Sequence, residues 1–283
     1  MAYGRTCSVM FVASLLVSGP PIRSAETIAD VPVELYQQHL VVTKGSVGRL
    51  SGLNLLIDTG TIPSMVDGRI ARQLHLQAES SILVAFGRQV PIQSAVVDGF
   101  RIGSLTSGPV PVGVGDLSYL EGVRIDAIVG LDVLARTNFS IDYQVRVLKF
   151  APGARENAVA PLEIVWPFVT ATMTIAGEPV RLLVDTGSSD LVLFKSRLPA
   201  TLSRAPWRGD KTVQYASGAA RLRRLELQQV GFGMDVWDKL TGWAIDRVPH
   251  GYPPGIDGVL GVASLGCQRV RFDFDRGELG CSR

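Results

Sequence analysis

Val, Ile, Leu and Thr cluster in short runs along the chain, among them residues 53–57, 169–175, 180–184 and 222–230. Runs of this length and composition predict β-strands. Gly45, Gly48 and Gly52 interrupt an opening hairpin in the first half, and Ala176-Gly177-Glu178-Pro179 forms a tighter equivalent in the second. One segment departs from the pattern. Residues 64–74 carry Met65, Ile70 and Leu74 at roughly helical spacing, which predicts a helix with Ser64 as its N-cap, just after Pro63. Residues 151–161, rich in Ala and Pro, read as a linker. The chain then divides near residue 160, into one unit over 30–155 and a second over 160–283.

The same order of features appears in both units. The apolar run 53–57 ends in Asp58-Thr59-Gly60, and the run 180–184 ends in Asp185-Thr186-Gly187, with the two aspartates 127 positions apart. Downstream, the segment from Asp126 to Leu131 matches the segment from Asp257 to Val262 at an offset of 131. Ile141-Asp142-Tyr143 answers Phe272-Asp273-Phe274 at the same offset. Three ordered matches at nearly constant spacing indicate a duplication.

A single Asp-Thr-Gly triplet is an ordinary turn at a strand end. Here each copy follows an apolar run, so each aspartate is expected at the buried end of a core strand, where an unpaired carboxylate is costly. One arrangement accounts for both copies: two carboxylates facing each other across a pseudo-two-fold axis, too close for both to be charged, and sharing one proton. The charged partner takes a proton from a water molecule while the protonated one hydrogen-bonds a carbonyl, so water is the nucleophile and no covalent intermediate forms. Asp58 and Asp185 are the candidate catalytic residues. Thr59 and Thr186 are expected to lock the two units together, with Gly60 and Gly187 allowing close approach. Ser188 is expected to help orient Asp185, and Thr61 is its counterpart in the first half. Gly130 and Gly261 are expected to let a second chain segment pass tightly behind each aspartate loop.

These motifs, LLIDTGT ending at Thr61, LLVDTGSS ending at Ser189, DAIVGLD and DGVLGVA, resemble those of the pepsin and retroviral protease superfamily of aspartic peptidases. The resemblance covers nearly all the chain beyond its first residues. It implies a mostly β, two-lobed barrel fold with pseudo-two-fold symmetry, a cleft between the lobes, and hydrolysis of peptide bonds in an extended substrate. The first half looks closer to retroviral-type units and the second closer to pepsin. Members of the superfamily cover the cleft with hairpin flaps. Candidates here are Phe86 and Gly87 in the first half, and Tyr215 and Gly218 in the second. Trp237, Trp243 and Tyr252 are candidates for apolar subsites or for core.

Composition narrows the alternatives. A net charge of +2 is too small to imply a nucleic-acid partner, and the basic run at Arg221, Arg223 and Arg224 reads as a solvated strand face. His39, His75 and His250 are scattered without metal-ligand spacing, and no phosphate-binding loop is present, so neither a metal nor a cofactor is expected. Arg5, an apolar run over 9–17 and Ser18-Gly19-Pro20-Pro21 read as a signal peptide over 1–25, with Ala29 a competing cleavage site. Nine apolar residues cannot span a hydrocarbon core of about 30 Å, so a stable membrane anchor is disfavoured and a secreted or periplasmic location is expected. Cys7 would leave with the signal, and Cys267 and Cys281 would remain as one disulfide or as two separate buried thiols. The expected partner is a peptide or protein substrate, and the expected state a monomer. A catalytically silent peptide-binding protein of the same fold, or an enzyme active only as a homodimer, are the competing readings.

Overall fold

The computed structural model describes residues 30–85, 88–118, 122–151, 156–199, 202, 209–215, 218–246, 248–249 and 251–283. The architecture is mostly β, in two lobes built to one plan. In the first lobe the strand Leu50–Ile57 runs parallel to Ala127–Val129, which lies antiparallel to Met65–Asp67, itself parallel to Val110–Gly115. In the second, Glu178–Asp185 runs parallel to Gly258–Gly261, antiparallel in turn to Leu191–Phe194, itself parallel to Asp235–Ile245. The interleaving explains why these strands read as unbroken apolar runs: they are buried on both faces. Leu55, Leu56 and Ile57 are at most 2% exposed, as are Leu182, Leu183 and Val184.

A third sheet joins the lobes. Its antiparallel order is Val31–Tyr36, Val147–Phe150, Phe139–Asp142, Arg269–Asp273, Glu278–Ser282, Ala158–Val165. The first three strands mirror the last three, so the pseudo-two-fold axis passes between Phe139–Asp142 and Arg269–Asp273. There Phe139 pairs with Phe272, and their rings stack with centroids 4.5 Å apart. One apolar core runs continuously from lobe to lobe through this sheet. Each lobe adds a smaller cluster on the other face of its sheet: Leu40, Val42, Leu56, Met65 and Ile128 in the first, Leu183, Val192, Phe194 and Val259 in the second.

Two expectations from sequence need correction. The strand Met65–Asp67 occupies the start of the expected helix, which is only Gly68–Leu74, and its N-cap is Asp67, accepting from the Arg69 amide. Met65 and Val66 satisfy a strand and a helix equally well by apolar spacing; burial between two neighbouring strands decides for the strand. The linker also ends early. Ala158–Val165 is a strand, pairing Ala158 with Cys281, because the central sheet requires a sixth strand where Ala and Pro had suggested irregular chain. Cys267 and Cys281 form a disulfide, with Cα atoms 5.6 Å apart.

Candidate active site

Each candidate aspartate sits where a doubly buried strand emerges at the boundary between lobes. Asp58 follows Ile57 and donates its amide to the Val129 carbonyl (3.0 Å), while Asp185 pairs with Gly261. Both side chains are half-buried. The two loops meet through their threonines, which are at most 3% exposed. The Thr59 amide donates to Thr186 Oγ1 (3.0 Å) and the Thr186 amide to Thr59 Oγ1 (3.1 Å). Each hydroxyl then donates across the axis, Thr59 to the Val184 carbonyl (2.8 Å) and Thr186 to the Ile57 carbonyl (2.9 Å). Four reciprocal bonds thus hold the two strand ends in fixed register.

That register presses each glycine against the other loop's carboxylate. A Cβ added at Gly60 would lie 2.5 Å from Asp185 Cγ, and one at Gly187 would lie 2.8 Å from Asp58 Cγ. No side chain fits either place. Within its own loop each carboxylate accepts from the glycine amide, Gly60 to Asp58 Oδ1 and Gly187 to Asp185 Oδ1, both at 2.8 Å. Burial raises the Asp185 carboxyl well above the usual carboxylate range, and the adjacent Asp58, through its charge and a side-chain hydrogen bond, raises it further. Such a pair titrates as a unit and keeps one proton where a lone carboxyl would lose it.

The residues behind the loops differ between lobes. Thr61 Oγ1 donates to Asp58 Oδ2 at 2.6 Å. Ser188 does not repeat this contact: its hydroxyl accepts from the Asp190 amide (3.4 Å), and it meets Asp185 through its backbone N–H. A serine can point either way, and the Asp190 amide decides its direction here. Gly130 packs against the Thr61 carbonyl, and a Cβ at Gly261 would lie 2.5 Å from both the Ser188 carbonyl and the Asp190 amide, so chain passes tightly behind both loops.

Several supporting residues carried no signal of this role in the sequence, where Ser64 read only as a helix N-cap. Ser64 donates its hydroxyl to Asp132 Oδ1 (2.7 Å) and accepts from the Gly130 amide (2.9 Å), bracing the first loop from behind. Burial raises the Asp132 carboxyl above its ordinary range. Asp126 and Asp257, visible only as landmarks of the repeat, take matching structural roles: each caps a strand amide, of Asn54 and Arg181, at 2.9 Å. In the second lobe Asp190 pairs with Lys211 at 2.7 Å.

Among the flap candidates, Phe86 and Gly87 lie outside the described residues, between the paired strands Glu79–Ala85 and Arg88–Val97. Tyr215 and Gly218 form the last pair of the hairpin made by Asp210–Tyr215 and Gly218–Phe232. Leu83 packs on the small cluster of the first lobe, and Val213 on that of the second. Trp237 is no cleft residue. It pairs with Val230 at the end of the sheet opposite Asp185, under the Arg283 guanidinium. Trp243 and Tyr252 belong to the small cluster of the second lobe. Among the described residues no group of His, Cys, Asp or Glu could hold a metal ion, and no helix is long and apolar enough to cross a membrane.

The aspartyl protease family model matches the chain twice, over residues 43–133 and 171–263. These segments are the two lobes, each with its aspartate loop and the strand that passes behind it. Together they cover more than half of the sequence, and the chain belongs to this family of peptide-bond hydrolases. No curated protein matches the chain.

Proposed function

We propose that the protein is an aspartic endopeptidase in which Asp58 and Asp185 of one chain activate a water molecule between them. The observation that carries this reading is the reciprocal approach of each loop's glycine to the opposite aspartate, which sets each carboxylate against the other's loop. Asp185, the partner with the raised carboxyl, holds the shared proton and hydrogen-bonds the scissile carbonyl. Asp58 accepts a proton from the water that attacks the carbonyl carbon. The tetrahedral diol then collapses as the leaving nitrogen is protonated, and the pair returns to its singly protonated state.

Both aspartate loops meet within a single chain, which favours a monomeric enzyme over one that must borrow a loop from a second copy. The Cys267–Cys281 disulfide favours an oxidising compartment, in keeping with export through an N-terminal signal. The test is cleavage of a peptide library across pH by wild type and by Asp58→Asn and Asp185→Asn, with and without a statine inhibitor. Each variant is expected to lose about 10²- to 10⁴-fold in rate while keeping its circular dichroism, and statine is expected to block the wild type. Undiminished, statine-insensitive cleavage in either variant rules out the dyad. An active species that sediments only as a dimer rules out the single-chain site.

A further inference from the structure

The lobes carry an arginine at matching places, and its surroundings differ. In the second lobe Arg197 donates to the carbonyls of Pro253 (2.6 Å), Ile256 (2.5 Å) and Tyr252 (2.9 Å). The loop ahead of Gly258–Gly261 is thereby drawn onto the guanidinium, and Tyr252 stacks on Phe168 and meets Phe194 edge-on. In the first lobe the counterpart is Arg69, 128 positions earlier. It keeps the carbonyl of Ile125 (3.3 Å), which corresponds to Ile256, but its other contacts are the carboxylates of Asp67 (2.7 Å) and Asp126 (3.4 Å). Where the second lobe draws its loop onto the arginine, the first has a cavity of about 540 Å³ whose lining includes Arg69, Arg72, Arg124, Gln93, Asp116 and Ser118.

Three arginines meet three carboxylates in and around this cavity, but they are unevenly paired. Asp67 and Asp126 neutralise Arg69. Arg72 and Arg124 make no ion pair among the described residues, and Arg72 reaches back over the helix start, where a Cβ at Gly68 would lie 3.5 Å from its Nη1. One further carboxylate, Asp116, faces them; its Oδ1 is turned back to accept from the Ser118 amide at 2.9 Å. What remains is two guanidinium forks, those of Arg72 and Arg124, held by no ion pair among the described residues, with a hydroxyl and an amide beside them. A planar two-oxygen anion matches such forks.

We propose that the cavity of the first lobe is a carboxylate-binding site, with Arg72 and Arg124 as its ligands. Two sources of carboxylate fit it: an acidic side chain of a bound peptide, or a free dicarboxylate. Along the strand, Asp126 lies three residues from Val129, whose carbonyl receives the Asp58 amide. At about 3.3 Å per residue that is about 10 Å, the reach of a peptide residue three positions from the cut. The peptide source rests on the proposed peptidase reading; the site itself does not.

Calorimetry with glutarate on the full chain at low salt tests it, against neutral glutaramide and the exposed-residue variants Arg72→Gln/Arg124→Gln and Arg124→Glu, each checked for folding by its thermal melt. Glutarate is expected to bind wild type, glutaramide not, and both variants to lose about tenfold or more in affinity. A second arm compares kcat/KM for peptides carrying Glu or Gln three positions from the cut. A Glu preference that glutarate abolishes assigns the site to substrate; glutarate binding without effect on cleavage assigns it to a free ligand. Absence of glutarate binding together with no Glu preference overturns the proposal, as does unchanged binding in both variants. Because calorimetry needs no turnover, its result stands even for a chain without peptidase activity.

Discussion

The two aspartate loops share their backbone and differ in what stands behind it. In the first, Thr61 gives Asp58 a side-chain donor, and Ser64 and Asp132 brace the loop through the Gly130 amide. In the second, the Ser188 hydroxyl turns away from Asp185, and the bracing runs from the Gly261 amide to the Asp190 carbonyl at 2.8 Å, with Lys211 pairing the Asp190 side chain. Duplication therefore preserves what both loops need to meet on the axis, the threonines and glycines. The flanks are free to diverge, and their divergence gives two equivalent carboxylates unequal settings. Asp58 gains a hydroxyl, while burial and the neighbouring Asp58 raise the Asp185 carboxyl.

The conserved part of the comparison carries the largest expected effect. Thr59→Val removes a hydroxyl that both accepts from the Thr186 amide and donates to the Val184 carbonyl, leaving two buried backbone groups without partners. Thr186→Val does the same to the Thr59 amide and the Ile57 carbonyl. At about 1–3 kcal/mol for each orphaned group, either change is expected to cost about 2–6 kcal/mol in denaturant unfolding. The two losses should agree closely. A clear inequality would show that one lobe holds its loop without help from the other, and would break the symmetry at its centre.

The divergent part is sharper in activity than in stability. Thr61→Val removes the one side-chain hydroxyl donor that Asp58 has among the described residues, a hydrogen bond to a charged group of the kind that contributes about 1.5–3 kcal/mol. A fall of about 10- to 100-fold in kcat/KM is expected. Ser188→Ala leaves the backbone contact with Asp185 in place and is expected to stay within about twofold of wild type. Equal losses in the two variants would show that the serine turns to its aspartate when substrate is present.

The shared half of this comparison was legible in the sequence and the divergent half was not. Asp-Thr-Gly after an apolar run, twice at a near-constant offset, implies both strands, their burial and their meeting, because a buried carboxylate demands a partner. The direction of a hydroxyl leaves no such mark. Ser188 and Thr61 are chemically alike, and only the Asp190 amide, a property of the folded loop, separates them. Met65 and Val66 were equally silent, since apolar spacing is the same for one helical turn and a short strand. Asp132 stood inside a quoted motif, yet its service to Ser64 is a contact across 68 residues that no local pattern records.

The unequal settings also predict a smaller effect on stability, with a definite sign. The folded-state pKa of Asp185 lies above its unfolded value, so the native state binds that proton more tightly than the unfolded chain does. Folding is therefore undisturbed by this group below the ordinary carboxylate range. As pH rises from there toward the raised pKa, stability declines, at a slope of at most about 1.4 kcal/mol per pH unit for one proton. Above that pKa the loss is complete and constant. Asp185→Asn cannot ionise and escapes the loss, so the variant is expected to match wild type near pH 3 and to melt higher near pH 7, the difference growing between. The Asn side chain keeps an oxygen to accept from the Gly187 amide, which makes the comparison one of charge and not of lost contact. Melting curves that run parallel across this range would place the proton of the pair on Asp58, and the lobes would exchange their roles.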